Sequence, residues 1–313
     1  MGANPVYHKC LFPGKPGWGT SALRRRKKSG KGGGLMAEIR LMVSCHQMEE
    51  VPPLPLLRPI QVGAALSLER FPGFLQDDTG ENISHKNRSY CELTAQYWAW
   101  KNLTADHYGF FHYRRYLYPD RRAKRPYRIE RAAAPEVLER LGYRDFPELI
   151  PQYDLILPRG EDMHIPVWEH YAKAPHHHEK DLKLAVELLL DAHPEYRAAA
   201  EAYLAGSNCY FGNIFIARRA VFFDYCSWLF PLLEEFDRRA DLTGYGPQEQ
   251  RVDGYLAERL LGIWVTAHRD LRQLELPRVH FIGDAKERRK KKIVNFLLPP
   301  GSLRRSKIKR LKR

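Results

Sequence analysis

Arg114 and Arg115 follow directly on an aromatic run, residues 108–113 (YGFFHY), that has the composition of a strand. Open α/β sheets take their ligands at the carboxyl ends of strands. Guanidinium forks pair bidentately with phosphate oxygens, so two of them placed there suit a diphosphate. The alternative is that both arginines form ion pairs with surface acids. His176, His177 and His178 have the side chains of metal ligands. Consecutive side chains cannot all converge on one ion in a regular element, so an exposed loop is the competing reading. No GxGxxG follows the first apolar strand, and GxxxxGK[ST], HExxH and GxSxG are all absent. The simple dinucleotide and phosphate cradles, the zincin site and the nucleophile elbow are therefore unsupported.

The elements that must position these residues are short apolar strands alternating with helices. Ile39–Cys45 reads as a buried first strand. Residues 49–59 are a proline-broken loop, and residues 60–68 a short strand or helix. Residues 77–82 (DDTGEN) form a turn cluster. Residues 84–102 are predicted to be one helix, with Leu93, Tyr97 and Trp100 at helical spacing. Residues 119–130 read as a basic loop and 153–157 as a strand. Helices are expected over 164–173, 181–190 and 195–204. Residues 209–217 (CYFGNIFIA) read as a strand, followed by helices at 218–238 and 248–263. This alternation implies an α/β sheet covered by helices.

The 313 residues are 44% hydrophobic and 28% charged, a composition that supports a packed core. No apolar stretch is long enough to span a bilayer. Five dispersed cysteines without a CxxC pair fit a reducing compartment, and no signal peptide is read at the start. The net charge of +14 is unevenly distributed: residues 1–36 carry +8 and residues 286–313 carry +12, leaving −6 on the remainder. A nucleic-acid-binding domain would wear its basic charge on the folded surface, so no specific nucleic acid is expected. Residues 1–36 are predicted to be a disordered basic extension, with Met36 as an alternative start. Residues 37–284 are the expected domain, and 285–313 a basic amphipathic tail.

Three stretches carry a resemblance. They are 77–84 (DDTGENIS), 90–102 (YCELTAQYWAWKN) and 109–116 (GFFHYRRY), supported by 60–64, 153–158 and 250–260. Together they resemble a capsular and exopolysaccharide biosynthesis family, domain of unknown function 4422, over about residues 38–270. Its members are taken to be glycosyltransferases. The resemblance implies an α/β, GT-A-like single-domain nucleotide-sugar fold, with a mixed sheet flanked by helices and disordered basic tails.

GT-A enzymes commonly hold a divalent metal with an Asp-x-Asp at a strand end. Here the corresponding strand ends in His112-Tyr113-Arg114. The resemblance therefore points to Arg114, with Arg115 and His112, supplying positive charge to the donor diphosphate in place of a metal. The rival is that Asp77 and Asp78 hold Mn²⁺ or Mg²⁺ from the preceding loop. Asp77, Asp78, Asn82, Gly212, Asn213 and Gln248 are expected near the donor and its sugar. Glu249, then Asp253, are the expected general bases, although acids in a first helical turn also suit the helix dipole.

The implied reaction moves a hexose, galactose or glucose, from a UDP-sugar to a lipid-linked or oligosaccharide acceptor in capsule, exopolysaccharide or O-antigen assembly. Its expected place is cytoplasmic, on the inner face of the cell membrane, with the basic tail on anionic lipid. The alternatives are a non-catalytic glycan- or nucleotide-binding protein on a degenerate transferase fold, and nucleic-acid binding through the tails.

Overall fold

The computed structural model describes residues 37–311. The N-terminal extension and the start at Met36 lie outside the described residues.

The twelve strands are β1 (Ile39–Cys45), β2 (Leu57–Gln61), β3 (Leu75–Gln76), β4 (His107–His112), β5 (Arg115–Leu117), β6 (Tyr127–Glu130), β7 (Leu155–Pro158), β8 (Glu161–Asp162), β9 (Asn208–Cys209), β10 (Phe215–Arg218), β11 (Gln273–Leu276) and β12 (Arg278–Phe281). The helices are α1 (Asn87–Tyr90), α2 (Leu93–Asn102), α3 (Pro135–Arg140), α4 (Phe146–Leu149), α5 (Val167–Ala172), α6 (Glu179–Ala192), α7 (Arg197–Ala205), α8 (Arg219–Arg239), α9 (Val252–Ala267), α10 (Ala285–Leu297) and α11 (Leu303–Leu311).

The main sheet runs β11-β7-β10-β4-β1-β2-β3, and β5, β12 and β6 extend it beyond β4. It is mixed: β1 pairs parallel with both β2 and β4, whereas β10 is antiparallel to β4 and β7. The α/β class with a mixed, helix-flanked sheet is thus as expected.

The apolar residues of β1 and β4 are buried on both faces, as strands covered on both sides must be. Met42, Tyr108 and Phe110 point into the core shared with α2 and α6–α9. Their alternating neighbours Leu41, Val43 and Phe111 point into the core beneath α3 and α4. The chain leaves β1 for β2 on one side and returns to β4 on the other. The carboxyl ends of β1, β2 and β4 therefore lie together at a reversal of strand order, the place where such sheets accept ligands.

Four expectations about elements are corrected. Residues 84–102 are not one helix: Cys91 has φ +50°, which ends α1 before α2 begins. Residues 209–217 are not one strand, because Gly212 (φ +94°) and Asn213 (φ +51°) turn left-handed between β9 and β10. The basic loop contains β6, which pairs with β12. The C-terminal basic segment is not a disordered tail but forms α10 and α11. Asn295 of α10 is buried, bonded to the Tyr127 hydroxyl at 3.2 Å and to Arg305 at 2.6 Å.

Candidate active site

A cavity of about 610 Å³ opens at the carboxyl ends of the three parallel strands. Ser44 and His46 enter it from the end of β1, Val62 from the end of β2, and His112, Arg114 and Arg115 from the end of β4. The break at Cys91 contributes Arg88, Cys91 and Glu92, and a 3₁₀ turn before α9 contributes Gln250 and Arg251. Four arginines thus face one carboxylate. Among the described residues, no carboxylate lies within ion-pair distance of Arg88, Arg114, Arg115 or Arg251.

His112 Nδ1 accepts the backbone N–H of Arg114 at 3.1 Å, so its proton sits on Nε2, 3.9 Å from Glu92. Burial, then the charges of Arg115, His46 and Arg114, push its pKa down to about 2. His112 is therefore a neutral N–H donor and not the positive charge expected of it. His46 is also shifted down, by burial and by Arg114. The Arg114 guanidinium lies over the Tyr113 ring at 4.8 Å and bonds its hydroxyl, which fixes the fork at the strand end. Arg251 Nε donates to the sulfur of Cys91 at 3.3 Å. Burial pushes that thiol up to about 12, so it stays protonated. The Ser44 hydroxyl is buried and has no hydrogen-bond partner among the described residues.

Of the expected site residues, His112, Arg114 and Arg115 converge on this cavity. Asp77 does not. It is fully buried, and its carboxylate accepts the N–H groups of Gly63 (2.8 Å) and Ala64 (2.9 Å) and the hydroxyl of Ser84 (2.5 Å). Gly63 sits at φ +68°, with Asn87 where a Cβ would be, so this clasp requires glycine. Asp78 pairs with Arg70 at 2.7 Å. Asn82 closes the turn through the carbonyls of Asp78 and Gly80. A cation at Asp77 would face three donor hydrogens, so the Asp77–Asp78 pair does not fit Mn²⁺ or Mg²⁺. Among the described residues no group of three or more His, Cys, Asp or Glu side chains could hold a metal ion, the three consecutive histidines included. His178 bonds Glu249, while His177 stacks on Tyr255 at 4.1 Å.

The expected bases are also elsewhere. Glu249 does not line the cavity; it accepts the N–H of Gly246 at 2.8 Å and meets His178 at 3.0 Å. These contacts hold its carboxyl below the usual range. Asp253 is fully buried, bonded to Ser89. Burial, and then the charge of Asp237, raise it well above the usual range. Gln248 is exposed, and its amide oxygen accepts from Arg251. Gly212 lies beside Arg115: a Cβ there would stand 3.6 Å from its guanidinium, and the Gly212 N–H donates to Glu258 at 2.5 Å. Asn213 is buried and its amide nitrogen donates to Gly254, so it braces α9 and does not face the cavity.

Sequence reasoning missed Ser44, His46, Arg88 and Arg251 and did not place Glu92 in the cavity. His46, one residue beyond β1, was reachable by the same strand-end rule that found Arg114. Arg88, Glu92 and Arg251 depend on the backbone reversal at Cys91 and on the 3₁₀ turn, which leave no signature in sequence spacing.

A family described as "Domain of unknown function (DUF4422)" matches residues 40–269. A solved structure, the WbbM bifunctional glycosyltransferase in its apo form, is 30% identical with a TM-score of 0.73, covering 78% of this chain and 45% of that one. The chain thus spans less than half the length of that protein. No curated protein matches. The family match covers most of the chain, which therefore belongs to the DUF4422 family.

Proposed function

We propose that the protein is a glycosyltransferase that binds a nucleotide-sugar donor in the cavity at the ends of β1, β2 and β4. The observation that carries this reading is the set of four arginines without carboxylate partners around a cavity at the switch point of the sheet. Guanidinium groups that line a cavity without carboxylate partners are sites for an external anion, and a diphosphate matches their fork geometry. The likeness to a glycosyltransferase structure supports the donor class.

In the proposed step an acceptor hydroxyl oxygen bonds to the anomeric carbon. The bond from that carbon to the diphosphate oxygen breaks, and the electron pair leaves on the diphosphate. Arg114 and Arg115, with Arg88 and Arg251, stabilise the charge that grows there. Their preorganised fields act where charge develops, which is the usual source of the largest single catalytic effect. Glu92 is the one carboxylate among the described residues that line the cavity, and in this reading it takes the hydroxyl proton in place of Glu249 or Asp253. Neutral His112 carries its Nε2–H on the side of Glu92, 3.9 Å from the carboxylate.

The finer assignment rests on the sequence resemblance: a hexose, galactose or glucose, from a UDP donor to a lipid-linked or oligosaccharide acceptor in capsule or exopolysaccharide assembly. The test is turnover of a panel of UDP-hexoses with Mn²⁺ or with EDTA. Hydrolysis or transfer that persists in EDTA and falls roughly 100- to 1,000-fold in Arg114→Ala supports the reading. Nucleotide binding without turnover of any donor in the panel would favour a non-catalytic binding protein on this fold.

A further inference from the structure

Arg114 and Arg115 form a partition and not an outer wall. On their far side lies a second cavity, of about 580 Å³, that also contains Arg131, His280, Glu287 and Lys291. Arg131 is exposed and, among the described residues, has no carboxylate within ion-pair distance. Lys291 is held by Glu287, one turn away on α10, at 2.7 Å. His280 stacks on Tyr127 at 4.2 Å, and its buried Nε2 has no hydrogen-bond partner among the described residues. Glu49 and Glu50 line the β1 end of the same cavity.

The rim of this cavity is the start of an amphipathic surface. Beyond Lys291, α10 exposes Ile293, Val294, Phe296 and Leu297, and α11 begins with exposed Leu303. These are five of the eight exposed large apolar side chains among the described residues, and Phe296 is 73% exposed. Exposed Lys286, Arg289, Lys290 and Lys292 surround them. Phe296 follows Lys291 by five residues, about 7.5 Å along the helix axis. A helix with such a face lies at the boundary between headgroups and acyl chains. Seated there, it would set the mouth of the second cavity at headgroup depth.

We infer that the second cavity receives the diphosphate of an acceptor anchored in the bilayer, with α10 lying in the interface and the Arg114–Arg115 partition separating the two substrates' diphosphates. Arg131 and Lys291 meet the acceptor's phosphates. Glu49 and Glu50 accept hydroxyls of the sugar next to them. Two anions held on opposite sides of one arginine pair bring the acceptor hydroxyl to the donor's anomeric carbon. This inference rests on the proposed transferase reading for its donor side, but its test does not require turnover.

The test is flotation of the full chain with phosphatidylcholine vesicles of matched surface charge, containing either phosphatidylglycerol or a polyprenyl diphosphate. UDP binding by each protein is measured alongside. The wild type should bind the diphosphate vesicles at least tenfold more tightly than the phosphatidylglycerol vesicles. Arg131→Gln/Lys291→Gln should remove that margin while leaving UDP affinity within twofold. Phe296→Ser/Leu297→Ser should lower binding to both vesicles by at least threefold. Equal binding of the wild type to the two vesicles, or a margin that survives Arg131→Gln/Lys291→Gln, would overturn the inference. Loss of UDP binding in the wild type would instead count against the donor reading and leave this result standing.

Discussion

At the scale of single residues, the pair Glu249 and Arg251 shows how two positions on one turn take opposite duties. Glu249 faces His178 and the Gly246 amide, while Arg251 faces the cavity. Glu249→Ala should therefore change kcat/KM by less than about threefold, whereas Glu92→Gln should lower kcat by about 10²–10⁴, the usual range for a general base. Steady-state kinetics on the two variants checks both. Arg114 and Arg115 were legible in the sequence because the rule that found them is local: a basic pair just past an apolar strand. Glu92 was not, because its place follows from the left-handed backbone at Cys91, and nothing in the run YCEL marks that reversal. Asp77 misled for a related reason. A carboxylate in a glycine turn is the same in sequence whether it faces a metal or clasps two amides.

At the scale of elements, the clasp between Asp77 and the Gly63–Ala64 turn ties the end of β2 to the loop before α1. Removing it leaves two backbone donors without partners, each costing about 1–3 kcal/mol. Asp77→Ala should lower the unfolding free energy by at least about 2 kcal/mol, read by denaturant melts, and chelators should not add to the effect. Asp253 makes a different element-level prediction. Burial and the charge of Asp237 keep its pKa in the fold above the ordinary carboxylate value of about 4. Between that value and its raised one, the unfolded chain has lost a proton that the fold retains. Stability contributed there must fall as pH rises. Asp253→Asn should flatten this slope, measured as unfolding free energy between pH 5 and 8. The sheet class and most helices were legible from periodicity. The two breaks, at Cys91 and at Gly212–Asn213, were not, because each is set by tertiary contacts with α9 or the 3₁₀ turn that precedes it: Cys91 with Arg251, and Asn213 with Gly254.

At the scale of the whole molecule, charge and shape are divided by face. The strand-end face carries arginines that have no carboxylate partner among the described residues, and the α10 flank carries lysines around exposed apolar side chains. The C-terminal segment was recognisable as basic and amphipathic from composition. That it folds onto β6 was not, because the anchoring bonds join Tyr127 to Asn295 and Arg305 far along the chain. Association with anionic vesicles should weaken as salt rises from 0.05 to 0.5 M, since surface charges are screened over roughly 10 Å at 0.1 M. Flotation across that range checks it. The central claim is that the arginine cavity holds a nucleoside diphosphate, and calorimetric titration of UDP in EDTA tests it most directly. The expected result is saturable binding by the wild type, weakened at least tenfold in Arg114→Ala and unchanged in Asp77→Asn. Binding that requires Mn²⁺, or that is indifferent to Arg114→Ala, would contradict it.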